Sequence, residues 1–255
     1  MYGVNTRYIM DILQELAIQI ELHSVEGIEA CFKKGANPNS LFKGEPLIYE
    51  LTSEYTRSPR FNNCVKTFVD YGLEFNDPVL LAVLLNDADI LDTRLENNPD
   101  ALNKRYTLRC AYTPFFEVTL MHICAEFNHV ACAKVLVNQG LDVNVKAGTS
   151  PRGLGGQSPI FHTVNQNGDQ SADMRNYLLE QSADLEITVA GLIWGEGYDW
   201  ETFIPSVNPI SYAMMGLLPQ MHRNQIVITK VITQLMEQQY GINYTPQNVP
   251  NKYLG

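Results

Sequence analysis

Apolar positions recur along this chain at helical spacing. Ile9, Ile12, Leu13, Leu16, Ala17 and Ile20 form one stripe at i, i+3, i+4, i+7, i+8 and i+11. Ile28, Cys31 and Phe32 place a second, short helix before Gly35. Val130, Ala131, Val135 and Leu136 do the same before Gly140, and Tyr177 with Leu178 before Ser182. The last long pattern runs through Ile228, Val231, Ile232, Leu235 and Met236. No single helix pair buries such faces alone, whereas stacked neighbours make one continuous core.

Two short phrases punctuate the stripes. One closes a helix: Gly35-Ala36-Asn37-Pro38-Asn39, Gly72-Leu73-Glu74-Phe75-Asn76, Gly140-Leu141-Asp142-Val143-Asn144 and Ser182-Ala183-Asp184-Leu185-Glu186. Its glycine suits the left-handed stop of a helix, so Ser182 predicts a less regular end. The other phrase opens a helix: Glu45-Pro46-Leu47-Ile48, Asp77-Pro78-Val79-Leu80, Thr119-Leu120-Met121-His122, Ser158-Pro159-Ile160-Phe161 and Asn208-Pro209-Ile210-Ser211. Asp77, Thr119, Ser158 and Asn208 are N-cap types, and proline at the first helical position loses no hydrogen bond. Glu45 is the poorer cap.

The alternation of these phrases resembles the ankyrin repeat, with its opening Thr-Pro-Leu-His and closing Gly-Ala-Asp-Val-Asn. The resemblance implies an all-α, ankyrin-like α-solenoid of about six helix pairs with long finger insertions, a single domain over residues 1–255. Its units fall near residues 8–39, 45–76, 77–103, 119–144, 158–187 and 208–241, the third being the weakest. It further implies that His122 ties adjacent units by hydrogen bonds, and that the chain binds another protein through its concave face and fingers. Terminal units need a polar cover. Arg7, Asp11, Gln14, Glu15 and Gln19 supply it at one end, and Gln234, Glu237, Gln238 and Gln239 at the other.

Composition narrows the partners. Lys plus Arg total 18 against 28 Asp plus Glu, a net charge of −10 over 255 residues. That balance disfavours nucleic acid and anionic membrane and favours a protein partner with a basic patch. No run of about 18 apolar residues predicts a membrane span. The first residues, Met1 to Arg7, do not read as a signal peptide, so the expected compartment is the cytoplasm. Five cysteines (Cys31, Cys64, Cys110, Cys124 and Cys132) without Cys-x-x-Cys spacing predict neither disulfides nor a zinc site.

Three connections exceed a regular finger: 104–118, 146–157 and 188–207. Insertions in a solenoid tend to fall on one face, often the binding face. The third holds both tryptophans. Trp194, Tyr198, Trp200 and Phe203 there, with Arg109, Tyr112 and Phe116 on the first, are the candidate partner-binding residues, because Trp, Tyr and Arg dominate binding hot spots. The competing expectation is that these rings fold back onto the protein's own helices. The loop Ser150 to Ser158 is glycine-rich but lacks the Gly-Lys-Ser/Thr ending of a phosphate loop and reads as a flexible finger tip.

Catalytic constellations are sparse. His122 and His129 stand seven apart with no ligand partner at helical spacing, so neither a metal nor any cofactor is expected. Cys124 with His162 is the one nucleophile–base pair to weigh, and nothing local activates it. Glu196, Asp199 and Glu201 beside the tryptophans support an alternative reading, a small-ligand binder or hydrolase using the Trp194–Phe203 loop. A solvated acidic rim describes them better, and no catalysis is expected.

Overall fold

The computed structural model describes residues 2–217 and 223–247, with side chains from residue 11 onward. Among the described residues, eleven α-helices follow one another in packed pairs. They are α1 (Tyr2–Glu21) with α2 (Val25–Lys33), α3 (Glu50–Ser53) with α4 (Phe61–Asp70), and α5 (Pro78–Leu84) with α6 (Ala88–Asn97). The series continues with α7 (Leu120–Phe127) beside α8 (Val130–Asn138), a 3-10 turn (Pro159–Thr163) beside α9 (Ala172–Glu180), and α10 (Pro209–Met215) beside α11 (Gln225–Tyr240). One buried apolar cluster runs from Ile12 to Leu235. The stripe expected on α1 is its first layer, with Leu16 and Ile20 fully buried. Arg7, Ile9 and His222 carry expectations that lie outside the described side chains.

The opening phrases differ in what they build. Asp77 caps α5 by accepting from the N–H groups of Val79 and Leu80, and Asn208 caps α10 through Ser211. Ser158 makes no capping bond, and its phrase gives a 3-10 turn rather than an α-helix. Glu45-Pro46 is not a helix start at all: it forms a strand, and a 3-10 turn (Leu47–Tyr49) leads into the single turn of α3.

The closing phrases behave more uniformly than expected. Gly35, Gly72 and Gly140 take positive φ of 100°, 90° and 94°, and Ser182 takes 64°. The end of α9 is regular despite the serine. Its Ala183 N–H reaches the Leu178 carbonyl at 2.9 Å, as the Leu141 N–H reaches Leu136 after α8. The last asparagine of the phrase has a task of its own. Asn39 accepts from the Glu74 N–H at 2.7 Å and donates to the Gly72 carbonyl at 2.9 Å, stitching one closing turn to the next. Asn144 repeats this with the Asp184 N–H and the Ser182 carbonyl.

The chain is helix-dominated but not all-α. Three antiparallel hairpins occupy finger positions: β1 (Leu41–Phe42) with β2 (Glu45–Pro46), β3 (Tyr106–Leu108) with β4 (Phe115–Val118), and β5 (Val189–Trp194) with β6 (Thr202–Val207). The first lies outside the long insertions, where no strand was expected. The polar cover at the second end also needs correcting. Gln234 faces inward to Arg175 and Asn176 of α9, and Gln239 reaches Glu186, so both join α11 to the stack. All five cysteines are free and buried.

Candidate interaction surface on the fingers

The three long insertions lie side by side and are laced by main-chain hydrogen bonds. Gly148 N–H donates to the Phe116 and Glu117 carbonyls on β4, at 3.2 and 3.0 Å. Gly156 N–H donates to Gly148 and Ala147 N–H to Gln157, each at 2.9 Å, while Thr149 pairs with Gly155. Gly155 N–H then reaches the Gly191 carbonyl of β5 at 2.9 Å. The result is one ribbon in the order β3, β4, 147–149, 155–157, β5, β6. The glycine-rich loop is therefore tied to both neighbouring fingers, through one isolated bridge and single main-chain bonds, with an exposed turn at 151–153. Gly155 is required there: its φ is +108°, and a Cβ would lie 2.5 Å from the Gly148 carbonyl oxygen.

The candidate aromatics divide. Tyr112 and Trp194 are 1% and 3% exposed, their rings 5.9 Å apart, and Tyr112 donates to the Tyr55 carbonyl. Both belong to the core and are closed off from solvent: each sits where its hairpin turns, and the two turns are joined by the Gly195 N–H donating to the Tyr112 carbonyl at 2.9 Å. Tyr198 and Trp200 are half-buried and stack at 4.9 Å. Trp200 Nε1 donates to Ala111 at 3.0 Å and Tyr198 Oη to Ser53 of α3 at 2.5 Å, so the third finger folds back onto α3. Arg109 lies over the Tyr198 ring and within 3.3 Å of Glu50 and 3.7 Å of Glu45. Phe116 is half-buried, and Phe203 on β6 is 59% exposed. Of the candidates, Phe203 is thus the exposed ring, while Phe116, Trp200, Tyr198 and Arg109 keep part of their surface in solvent.

Glu196, Asp199 and Glu201 are all exposed, and Glu201 accepts from the Gly197 N–H. Glu196 borders a shallow groove of about 230 Å³ with Arg109 and Phe116. The geometry gives the hydrolase alternative no enclosed acid. Among the described residues, no cluster of His, Cys, Asp and Glu could hold a metal ion, and no helix is long and apolar enough to cross a membrane.

The histidines hold the stack together. His122 Nδ1 accepts from the Thr119 N–H at 3.2 Å, and Nε2 therefore carries the proton donated to the Gln157 carbonyl at 3.0 Å. This ties α7 to the next finger, as the resemblance implied. His129 bonds the Val83 carbonyl of α5 at 2.7 Å. Burial holds His122 well below the usual histidine value, and pushes His23 and His129 down to about 4.

A buried polar knot escaped the reading of the sequence. Glu126 of α7 accepts from Arg57 Nε and Gln166 at 2.8 Å, and from His162 Nδ1 at 2.9 Å. Arg57 is sandwiched between Tyr112 and Phe127, its guanidinium carbon 4.8 and 4.9 Å from the ring centres. Burial opposes the charge on Glu126, but Arg57 and His162 outweigh it and hold the carboxyl below its usual range. The signal was a glutamate inside Leu120–Phe127, a helix otherwise apolar but for His122. His162 is thus committed to Glu126, and burial pushes the Cys124 thiol well above its usual value.

Stacked helix pairs joined by finger hairpins define the class of protein, and comparison with known proteins agrees. The family model described as Ankyrin repeat matches residues 117–147, which span α7, α8 and the turns on either side. The resemblance to the ankyrin repeat is thereby shown. Among solved structures the chain is similar to the human ASB11 ankyrin repeat domain, at 16% identity over 85% of this chain and 81% of that one, with a TM-score of 0.35. No curated protein matches the sequence. Ankyrin repeats are in general protein–protein interaction modules without catalytic activity of their own.

Proposed function

We propose that this chain is a non-catalytic interaction module of about six ankyrin-like units, with the unit boundaries read from the sequence, that binds another protein through its finger surface. The observation that carries this reading is the laced ribbon of three fingers. It presents Phe203, Phe116 and Arg109 on one preformed, ordered framework, so little entropy is lost on binding. The net charge of −10 favours a partner with a basic patch over nucleic acid or membrane. Five free thiols fit a reducing compartment, the cytoplasm. The test is affinity capture from native extract with the wild-type chain and a Phe203→Ala, Phe116→Ala variant whose fold is checked by circular dichroism. A partner held by the wild type should be lost about tenfold or more by the variant, the effect of removing hot-spot rings worth about 2 kcal/mol. Equal retention by both would overturn the assignment to the fingers.

A further inference from the structure

The row of fingers has a missing member. Hairpins or extended loops project between α2 and α3 (β1–β2), α6 and α7 (β3–β4), α8 and α9 (147–157), and α9 and α10 (β5–β6). Between α4 and α5 there is none: the closing turn runs through Phe75 and Asn76 straight into the cap Asp77. The slot opens onto a groove of about 490 Å³ lined by Asn76, Asp77, Val79, Asn98, Asp100 and Lys104. β3 stands at one side of it. Among the described residues, β3 pairs only with β4, and no main-chain hydrogen bond engages the other edge of Tyr106–Leu108. At the outer end, Arg109 leans across to Glu45 of β2 at 3.7 Å, so a side chain spans the gap where a strand would sit. The far end of the ribbon is closed differently. Pro205 interrupts β6, a usual device against edge pairing, whereas β3 has no proline.

We propose that this slot is a strand-addition site, filled by an extended, basic segment of a partner protein that pairs with the open edge of β3. Unpaired edge strands accept a partner strand through main-chain hydrogen bonds, with selectivity from alternate side chains. The charge of the groove selects the sign. Lys104 and Asp77 cancel each other at 2.5 Å, while Asp100 is exposed and belongs to no ion pair among the described residues. At the outer end Glu45 and Glu50 are matched by Arg109 and Lys43, so the unmatched charge of the slot among the described residues is Asp100. Lysine or arginine side chains of an added strand meet this excess, in a chain already at −10.

The inference rests on the reading of the chain as an interaction module, but its test uses the slot alone. The full chain is titrated with the hexapeptide Lys-Val-Thr-Val-Lys-Val and its acidic twin Glu-Val-Thr-Val-Glu-Val, followed by amide NMR shifts. The basic peptide should move the amides of 76–77 and 100–108, with the acidic one about tenfold weaker or more. Asp100→Lys should weaken the basic peptide severalfold. A copy of the β1–β2 hairpin inserted between Asn76 and Asp77 should abolish binding, and Phe203→Ala should leave it intact. No shift at millimolar peptide, equal affinity for the two peptides, or shifts elsewhere on the chain would each overturn the proposal. A partner that is lost with Phe203 and Phe116 but indifferent to the inserted hairpin overturns the slot alone and leaves the finger reading standing.

Discussion

Ser182 shows how much one residue can withhold from a well-made turn. It sits in the left-handed conformation its glycine counterparts adopt freely, and keeps the same hydrogen bonds as they do. A side chain in that conformation costs about 1–2 kcal/mol. Ser182→Gly therefore should stabilise the chain by about 1 kcal/mol, part of the gain being offset by the freer unfolded chain. Denaturant melts decide it, and an unchanged or lower midpoint would show that the serine is unstrained. The Asn144 bonds to Ser182 and Asp184 are made to main chain, so the substitution leaves them in place.

Among the elements, the fingers are where expectation and structure parted. The helices were legible because each closing glycine and opening cap acts within one turn of chain. The strands were not: Leu41–Pro46 and Tyr106–Leu108 are too short to show alternation, and what makes them strands is the neighbour they pair with. The site divided for the same reason. Nothing near Trp194 in sequence distinguishes it from Trp200, yet Tyr112 of another finger covers one, while Tyr55 and Tyr198 only partly cover the other. Glu126 could have been flagged, but its partners Arg57 and His162 lie 69 and 36 residues away. Trp194→Ala should accordingly cost about 3–5 kcal/mol in stability, like other large rings deleted from cores. Phe203→Ala, on the exposed face of β6, should cost well under 1 kcal/mol. Reversing that order in urea melts would mean the finger's interior has been misplaced.

For the molecule as a whole, the buried histidines set a pH response. His23, His122 and His129 are all depressed, so between pH 6.5 and about 4 the unfolded chain binds protons that the folded chain refuses. Their stabilisation is complete above pH 6.5 and is lost as the pH falls. Glu54, raised to about 7 first by burial and then by Glu50, acts in the opposite sense, one group against three. Stability should fall by about 2 kcal/mol per pH unit around pH 5.5. Chemical melts at pH 7, 6 and 5 check this, and a flat profile would show that the imidazoles are not sealed. The knot at Glu126 carries a further consequence. Arrays of stacked units ordinarily interact only with their nearest neighbours, so they fray from the ends and fold one unit at a time. Here Arg57, beside α4, reaches past α5 and α6 to α7, and Tyr198 returns 145 residues along the chain to Ser53. Such loops close late and must open together, so this chain is built to fold slowly and to come apart in a single step.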